Sequence, residues 1–241
     1  MNGPSGYFDS LASQWSRKYD RRGALRQRIN RFVEPVRERL PPGSKVLDFG
    51  CGSGDITVSL KHAGFDVSGY DISPGMLEAA RRRCSGEQIE FVLGGQSPWS
   101  RVPVENSTFA GVVASSVLEY SLDPVGQVAE LSRVLDQGGL LVMTVPDPSH
   151  PIRKLERVLR LITKSPLKWT FPLFPERGRA YWGRISISVN HFPLHEWEAI
   201  LQRAGMRVDQ VSADGSPLAR IMAIKVAESG IEAGATSAEL V

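Results

Sequence analysis

The stretch Val46-Leu47-Asp48-Phe49-Gly50-Cys51-Gly52-Ser53-Gly54-Asp55 decides how this chain is read, because a short apolar run ends in three glycines spaced two apart. Lys45 to Phe49 reads as a buried strand, and Asp55 to His62, with Ile56, Val58 and Leu60, starts a helix directly after it. The glycines therefore fill a strand-to-helix turn. Gly50, Gly52 and Gly54 tolerate positive φ there and let a ligand approach the backbone. The next run, Phe65 to Asp71, is a second strand, and its terminal carboxylate is placed to accept two hydrogen bonds from ribose hydroxyls.

Glycine spacing also bears on the cofactor. A dinucleotide fingerprint has its third glycine three residues after the second, where a pyrophosphate rests on the helix N-terminus. Here that position is Asp55, and Asp48 adds a second negative charge to the same turn. Both acids would repel a pyrophosphate. They suit a phosphate-free nucleoside with a positive end, and S-adenosylmethionine, with its ammonium and sulfonium, is such a molecule. A nicotinamide oxidoreductase would share the sheet and the ribose acid but not this spacing.

Outward from the turn, strands and helices alternate. Strands are predicted at 45–49, 66–70, 89–93, 110–114 and 139–145, and helices at 54–63, 74–83 and 124–135. Such alternation implies a parallel sheet wound on both faces, with ligands at the carboxyl ends of the strands. Upstream, Leu25, Ile29, Phe32, Val33 and Val36 recur at helical spacing before Pro41-Pro42-Gly43 ends the helix, so residues 1–44 form a helical cover. Downstream, 194–204 reads as a helix and 206–211 and 218–227 as strands, while 228–241 has the composition of a disordered tail.

In order along the chain, these segments resemble the class I S-adenosylmethionine-dependent methyltransferases. Val46 to Gly54 is similar to the first family motif, and Tyr70-Asp71-Ile72-Ser73-Pro74-Gly75-Met76-Leu77 to the second. Ala110 to Tyr120 is similar to the fourth-strand motif, and Leu131 to Val145 to the helix and strand after it. The resemblance implies an α/β fold with a doubly wound, mostly parallel seven-stranded sheet over 45–227, finished by an antiparallel hairpin. It implies that Asp48, Gly50 and Gly52 lie along the methionine part of the cofactor, with Cys51 between them contributing a small side chain. Asp71 would hold the ribose, Ile72 and Met76 would flank the adenine, and Ser115 would face the sulfonium and ammonium end. Where many relatives place an Asp after the third strand, this chain has Gly94-Gly95-Gln96, so Gly95 and Gln96 are expected to meet the adenine amino group. Tyr7, Trp15 and Tyr19 resemble aromatic positions that close over the cofactor, with plain helix packing as the alternative; Tyr19 is carried as a cofactor residue.

Charge is unevenly spread around a net +3: residues 1–45 hold ten Lys or Arg against four acids, 150–179 hold eight against two, and the remainder eleven against twenty. No run approaches the roughly 18 apolar residues of a membrane span, no export signal is apparent, and two cysteines fit a reducing compartment, so a cytoplasmic protein is expected. Cysteines and histidines show no metal-ligand spacing. With no base-reading signature, a small-molecule acceptor is expected rather than nucleic acid. The insert at 149–187 is basic and aromatic, and its Ile152, Leu155, Leu159 and Ile162 share one helical face. That stripe suits a substrate lid packed on the core; the alternative is peripheral contact of 150–179 with a membrane surface.

Methyl transfer is an in-line displacement at a carbon on a sulfonium, so alignment and exclusion of water carry much of the rate. A hydroxyl acceptor also benefits from a base. Tyr120, Glu119, His191 and His195 are the candidates, with Tyr120 and His191 preferred. Tyr120 stands where many relatives carry a His, and a tyrosine with its ordinary pKa of about 10 is a weak base unless shifted. The expected activity is O-methylation of a small, partly apolar or aromatic acceptor. C- or N-methylation, and a non-catalytic cofactor-binding module docking to a membrane or acidic partner, are the alternatives.

Overall fold

The computed structural model describes residues 3–19, 24–95, 101–163 and 176–226. In chain order the elements are α1 (Gly3–Tyr19), α2 (Ala24–Arg39), β1 (Lys45–Phe49), α3 (Asp55–His62), β2 (Asp66–Asp71), α4 (Pro74–Arg83), β3 (Glu90–Leu93) and β4 (Phe109–Ala114). A 3₁₀ turn (Leu118–Tyr120) precedes α5 (Pro124–Val134), β5 (Leu135–Pro146), α6 (Pro151–Thr163), α7 (Glu176–Ile187), α8 (Leu194–Arg203), β6 (Met206–Ser212) and β7 (Leu218–Lys225). The seven strands form one sheet in the order β3-β2-β1-β4-β5-β7-β6. β1 to β5 run parallel, and β7 is antiparallel to both β5 and β6, as the family resemblance implied. Among the described residues, no helix is long and apolar enough to cross a membrane.

Strand alternation divides the core into two layers. Leu47 and Phe49, Val112 and Ala114, and Leu141 and Met143 pack with Leu131, Trp197 and Leu201 of α5 and α8. Val46, Val113, Val142 and Met222 pack on the opposite side with Phe32 and Val36 of α2 and Leu60 of α3. Two residues on from these last positions, along β1, β5 and back along β7, come Asp48, Thr144 and Arg220. The sheet thus changes from apolar to polar on the α2 side as it approaches the strand ends where β1 meets β4. Ser73 and Asp123 cap α4 and α5 by accepting from Met76 N–H and Gly126 N–H, and each is followed by proline at the first helical position.

Two expectations need correction. β5 begins at Leu135 rather than 139, because Leu135 already pairs with Phe109 before the register jumps to Gly111 with Leu140; the extra residues bulge around Gly138, at φ 76°. The second concerns α6, whose apolar stripe was expected against the core. Ile152 and Leu155 are instead 37 % and 55 % exposed and Leu159 is half-buried, while Arg153 and Glu156 are buried. Glu156 accepts from Arg153 Nη1 at 2.8 Å, Tyr181 Oη at 2.8 Å and Arg184 Nη2 at 3.1 Å. Arg153 also donates to the Pro217 carbonyl at 3.0 Å and lies 3.6 Å from Glu119. Buried charges persist only when paired, so this ionic stripe fixes which side of α6 faces inward. Ile162, Gln96, Trp169, Phe171, Phe174 and the 227–241 tail lie wholly or by side chain outside the described residues.

Candidate functional site

Gly50, Gly52 and Gly54 adopt φ of 72°, 54° and 78° in the turn after β1. A Cβ on Gly50 would overlap Val117, whereas one on Gly52 would meet open space. Gly50 N–H and Cys51 N–H donate to the Tyr70 carbonyl at 2.7 and 3.0 Å, tying the turn to β2. At the end of β2, Asp71 accepts from Gly52 N–H at 2.8 Å on one oxygen and from Ser73 N–H at 2.9 Å on the other. Burial pushes the Asp71 carboxyl above its ordinary pKa, against those backbone bonds. Each oxygen keeps lone-pair capacity for a ligand hydroxyl.

Asp48 forms the floor. Its carboxylate accepts from Thr57 Oγ1 at 2.6 Å, and burial raises its pKa to about 7. A bound cation would favour the ionised form. From α2, Arg28 Nε donates to Ser115 Oγ at 2.9 Å, and its positive charge also works against the Asp48 shift. Ser116 takes a left-handed φ of 57°, and its N–H donates to Thr144 Oγ1 at 3.0 Å. Such backbone strain after β4 persists only where neighbours hold it, and here Thr144 of β5 does.

These groups open into one cavity of about 980 Å³. α1 closes part of it: Asp9 accepts from Ser73 Oγ at 2.5 Å and Gly75 N–H at 2.9 Å, which pins α1 to the start of α4. Phe8 then meets Tyr120 edge-on, with ring centroids 5.2 Å apart. Burial, followed by the Glu119 charge, raises the Tyr120 hydroxyl well above its ordinary pKa. Its O–H donates to Glu119, so the phenol is protonated and tied to the carboxylate beside it. Glu119 lies beside it, accepting from Ser188 Oγ at 3.0 Å.

A family model described as a methyltransferase domain matches residues 17–211. The chain belongs to the methyltransferase domain family. Among curated relatives, a demethylmenaquinone methyltransferase of Clavibacter sepedonicus is 32% identical over 149 residues, covering 58% of this chain and 56% of the relative. The mitochondrial ubiquinone biosynthesis O-methyltransferase of Schizosaccharomyces pombe is 30% identical over 173 residues, covering 65% and 61%. The chain therefore spans somewhat over half the length of these relatives. Magnesium protoporphyrin IX methyltransferase from Synechocystis PCC 6803, solved with bound S-adenosylhomocysteine, superposes with a TM-score of 0.65 at 19% identity, covering 92% of this chain and 97% of that one. A Haloferax volcanii methyltransferase in complex with the Trm112 activator gives 0.65 at 17% identity, covering 91% and 98%.

The methyltransferase cofactor is S-adenosylmethionine, and this cavity fits it. Gly52 leaves space where a side chain would intrude, two carboxylates from adjacent strands line the space, and the volume admits a nucleoside with room beyond it. Asp48, Gly50, Cys51, Gly52, Asp71, Ile72, Met76, Gly95, Ser115 and Tyr120 all line this space. The Cys51 thiol is buried, and burial pushes its pKa well up, which leaves it unreactive.

His191 does not join them. Its ring lines a separate crevice with Pro148, Arg153, Arg157 and Val189, and Nε2 lies 3.2 Å from Ser188 Oγ. The loop before α8 thus turns the imidazole toward α7 instead of the acceptor space. His195 is exposed in the first turn of α8. Tyr19 ends α1, and its side chain, like all of Gln96, lies outside the described residues. Sequence reading missed Arg28, Arg31, Ser116, Thr144 and Arg220, all of which line the cavity.

Proposed function

We propose that this protein transfers the methyl group of S-adenosylmethionine to an oxygen of a small, partly apolar acceptor. The observation that carries this reading is that Asp48 and Asp71, from adjacent strands, line one cavity with the glycine turn, and that Phe8 and Tyr120 line it too. The names of two relatives, for demethylmenaquinone and ubiquinone biosynthesis, support an aromatic acceptor such as a quinol.

When bound, the cofactor supplies an electrophilic methyl group on a sulfonium. Asp48 would hold its ammonium and Arg28 its carboxylate, while Asp71 would hold the ribose and Ile72 and Met76 the adenine. Tyr120, whose O–H donates to Glu119, accepts a hydrogen bond from the acceptor hydroxyl, and the proton that this hydroxyl loses passes through the phenol to the Glu119 carboxylate. Such proton transfer typically contributes 10²- to 10⁴-fold. Incubating the protein with a cell extract and cofactor carrying a labelled methyl group, then searching by mass spectrometry, tests the reading. A labelled product whose methyl group sits on oxygen supports it; transfer to nitrogen or carbon, or no transfer, overturns it.

A second reading concerns the surface. The outward Ile152 and Leu155, flanked by exposed Lys154 and Arg157, support peripheral contact of α6 with an anionic membrane. Arg153 has no part in it, being buried in its ion pairs.

A further inference from the structure

Besides Arg28, the cavity is lined by two pairs of arginines, and they differ in how their charge is met. Arg153 and Arg184 are matched by Glu119 and Glu156, within 4 Å in each case. Arg31 and Arg220, on the other side, are less well matched.

Arg220 reaches its position through a defect in α2. Pro35 lies inside that helix and lacks an N–H, so the Arg31 carbonyl, four residues earlier, has no helical donor. Arg220 Nη1 supplies one at 3.2 Å. The Arg31 guanidinium donates to Ser216 Oγ at 3.1 Å and to the Leu218 carbonyl at 3.0 Å, which holds it beside the start of β7. Two guanidiniums are thereby anchored next to each other, each by neutral oxygens. Two acids, Asp214 and Glu34, line the cavity on this side; Asp214 is 3.9 Å from Arg31 with its side chain 58% exposed, and Glu34 is exposed on α2. Among the described residues, the Nε atoms of Arg31 and Arg220 are both buried with no acceptor. Donors here exceed acceptors, and solvated acids offset the positive charge poorly.

The location suits an acceptor. Arg220 pairs in register with Thr144, and Thr144 bonds Ser116, so Arg220 stands about two strand spacings, roughly 10 Å, from the cofactor side at β4. On α2, Arg28 serves Ser115 while Arg31, three residues on and on the same helix face, points to the β7 side.

We propose that Arg31 and Arg220 form a subsite for an oxyanion, a carboxylate or a phosphate, carried by the methyl acceptor on the β7 side of the cavity. The location of the reacting oxygen rests on the methyltransferase reading; the oxyanion subsite itself does not, because it is tested by binding.

The test uses the full chain saturated with S-adenosylhomocysteine and titrated calorimetrically with benzoate, phenyl phosphate and neutral benzamide. Benzoate or phenyl phosphate should bind at least ten-fold more tightly than benzamide, the better of the two telling which oxyanion fits. Arg220→Gln and Arg31→Gln should remove that preference, Arg220→Lys should restore part of it, and the affinity for S-adenosylhomocysteine should stay within two-fold throughout. Equal binding of charged and neutral probes overturns the proposal, as does a preference that survives both Gln substitutions. A large loss of S-adenosylhomocysteine affinity in these variants also overturns it, since the arginines would then serve the cofactor. Wild-type protein that fails to bind S-adenosylhomocysteine at all counts against the methyltransferase reading, while the same probes on the unliganded chain still decide the subsite.

Discussion

The Asp48 carboxylate accepts the Thr57 hydroxyl at 2.6 Å, and both side chains are buried at the floor of the cavity. In the unfolded chain this carboxyl ionises near its ordinary 3.8, whereas in the native protein burial carries it to about 7. The native state therefore holds the extra proton between those values. Its stabilising contribution is complete below the lower pKa and is lost as pH rises through the upper one. A ligand ammonium held at Asp48 selects the ionised form, so affinity for S-adenosylhomocysteine, measured by calorimetry, should be about ten-fold weaker at pH 6 than at pH 8. Asp48→Asn should abolish that difference; equal wild-type affinities at the two pH values would contradict the assignment.

Gly50 is constrained twice, by its φ of 72° and by Val117 where a Cβ would sit. Gly50→Ala should lower both the melting temperature and cofactor affinity, the latter by ten-fold or more. Gly52→Ala has open space for its methyl group and should cost less stability, while still intruding on the ligand. Unfolding curves and titrations of the two variants check the ordering.

Glu156 should prove the main anchor of the insert. Burial pushes its pKa up, but Arg153, Tyr181 and Arg184 outweigh that and hold it below its ordinary value. Its contribution is present above the ordinary pKa of 4.5 and is lost as pH falls through the lower native value. Glu156→Gln leaves Arg153 buried with weaker partners and should destabilise by about 3 kcal/mol, the low end for a broken buried pair because Arg184 is partly solvated. Denaturant unfolding measures it.

Membrane contact through α6 has a clean test in Ile152→Gln with Leu155→Gln. Both side chains are outward, so the melting temperature should stay unchanged. Wild-type protein should float with phosphatidylglycerol vesicles at low salt and less at high salt, and the double variant should stay behind. Equal flotation of the two proteins would remove α6 from that role.

The periodic elements were legible because alternation and capping are local: the strands at 45–49 and 110–114 and the helix beginning at Pro74 follow from residues within a few positions of each other. Asp71 at the end of its strand and the glycine turn were legible for the same reason. What was hidden depends on distant partners. Periodicity gives α6 an apolar stripe and a charged one but does not say which faces inward; Glu119, Tyr181 and Arg184 decide that from elsewhere in the chain. Arg28 and Arg31 look like the solvated side of an amphipathic helix until Ser115 and Ser216 are found beside them. His191 stands in the sequence between the insert and the helix at 194–204, but its orientation depends on Ser188, which the pattern around it does not reveal.

On the function proposed above, a phosphate-free nucleoside that carries an ammonium binds where Asp71 accepts the Gly52 N–H. Calorimetric titration of wild-type protein and Asp71→Ala with S-adenosylhomocysteine tests it most directly. Stoichiometric binding by the wild type and a loss of affinity of ten-fold or more in the variant are expected; wild-type protein that takes up no ligand, or a variant that binds equally well, would contradict it.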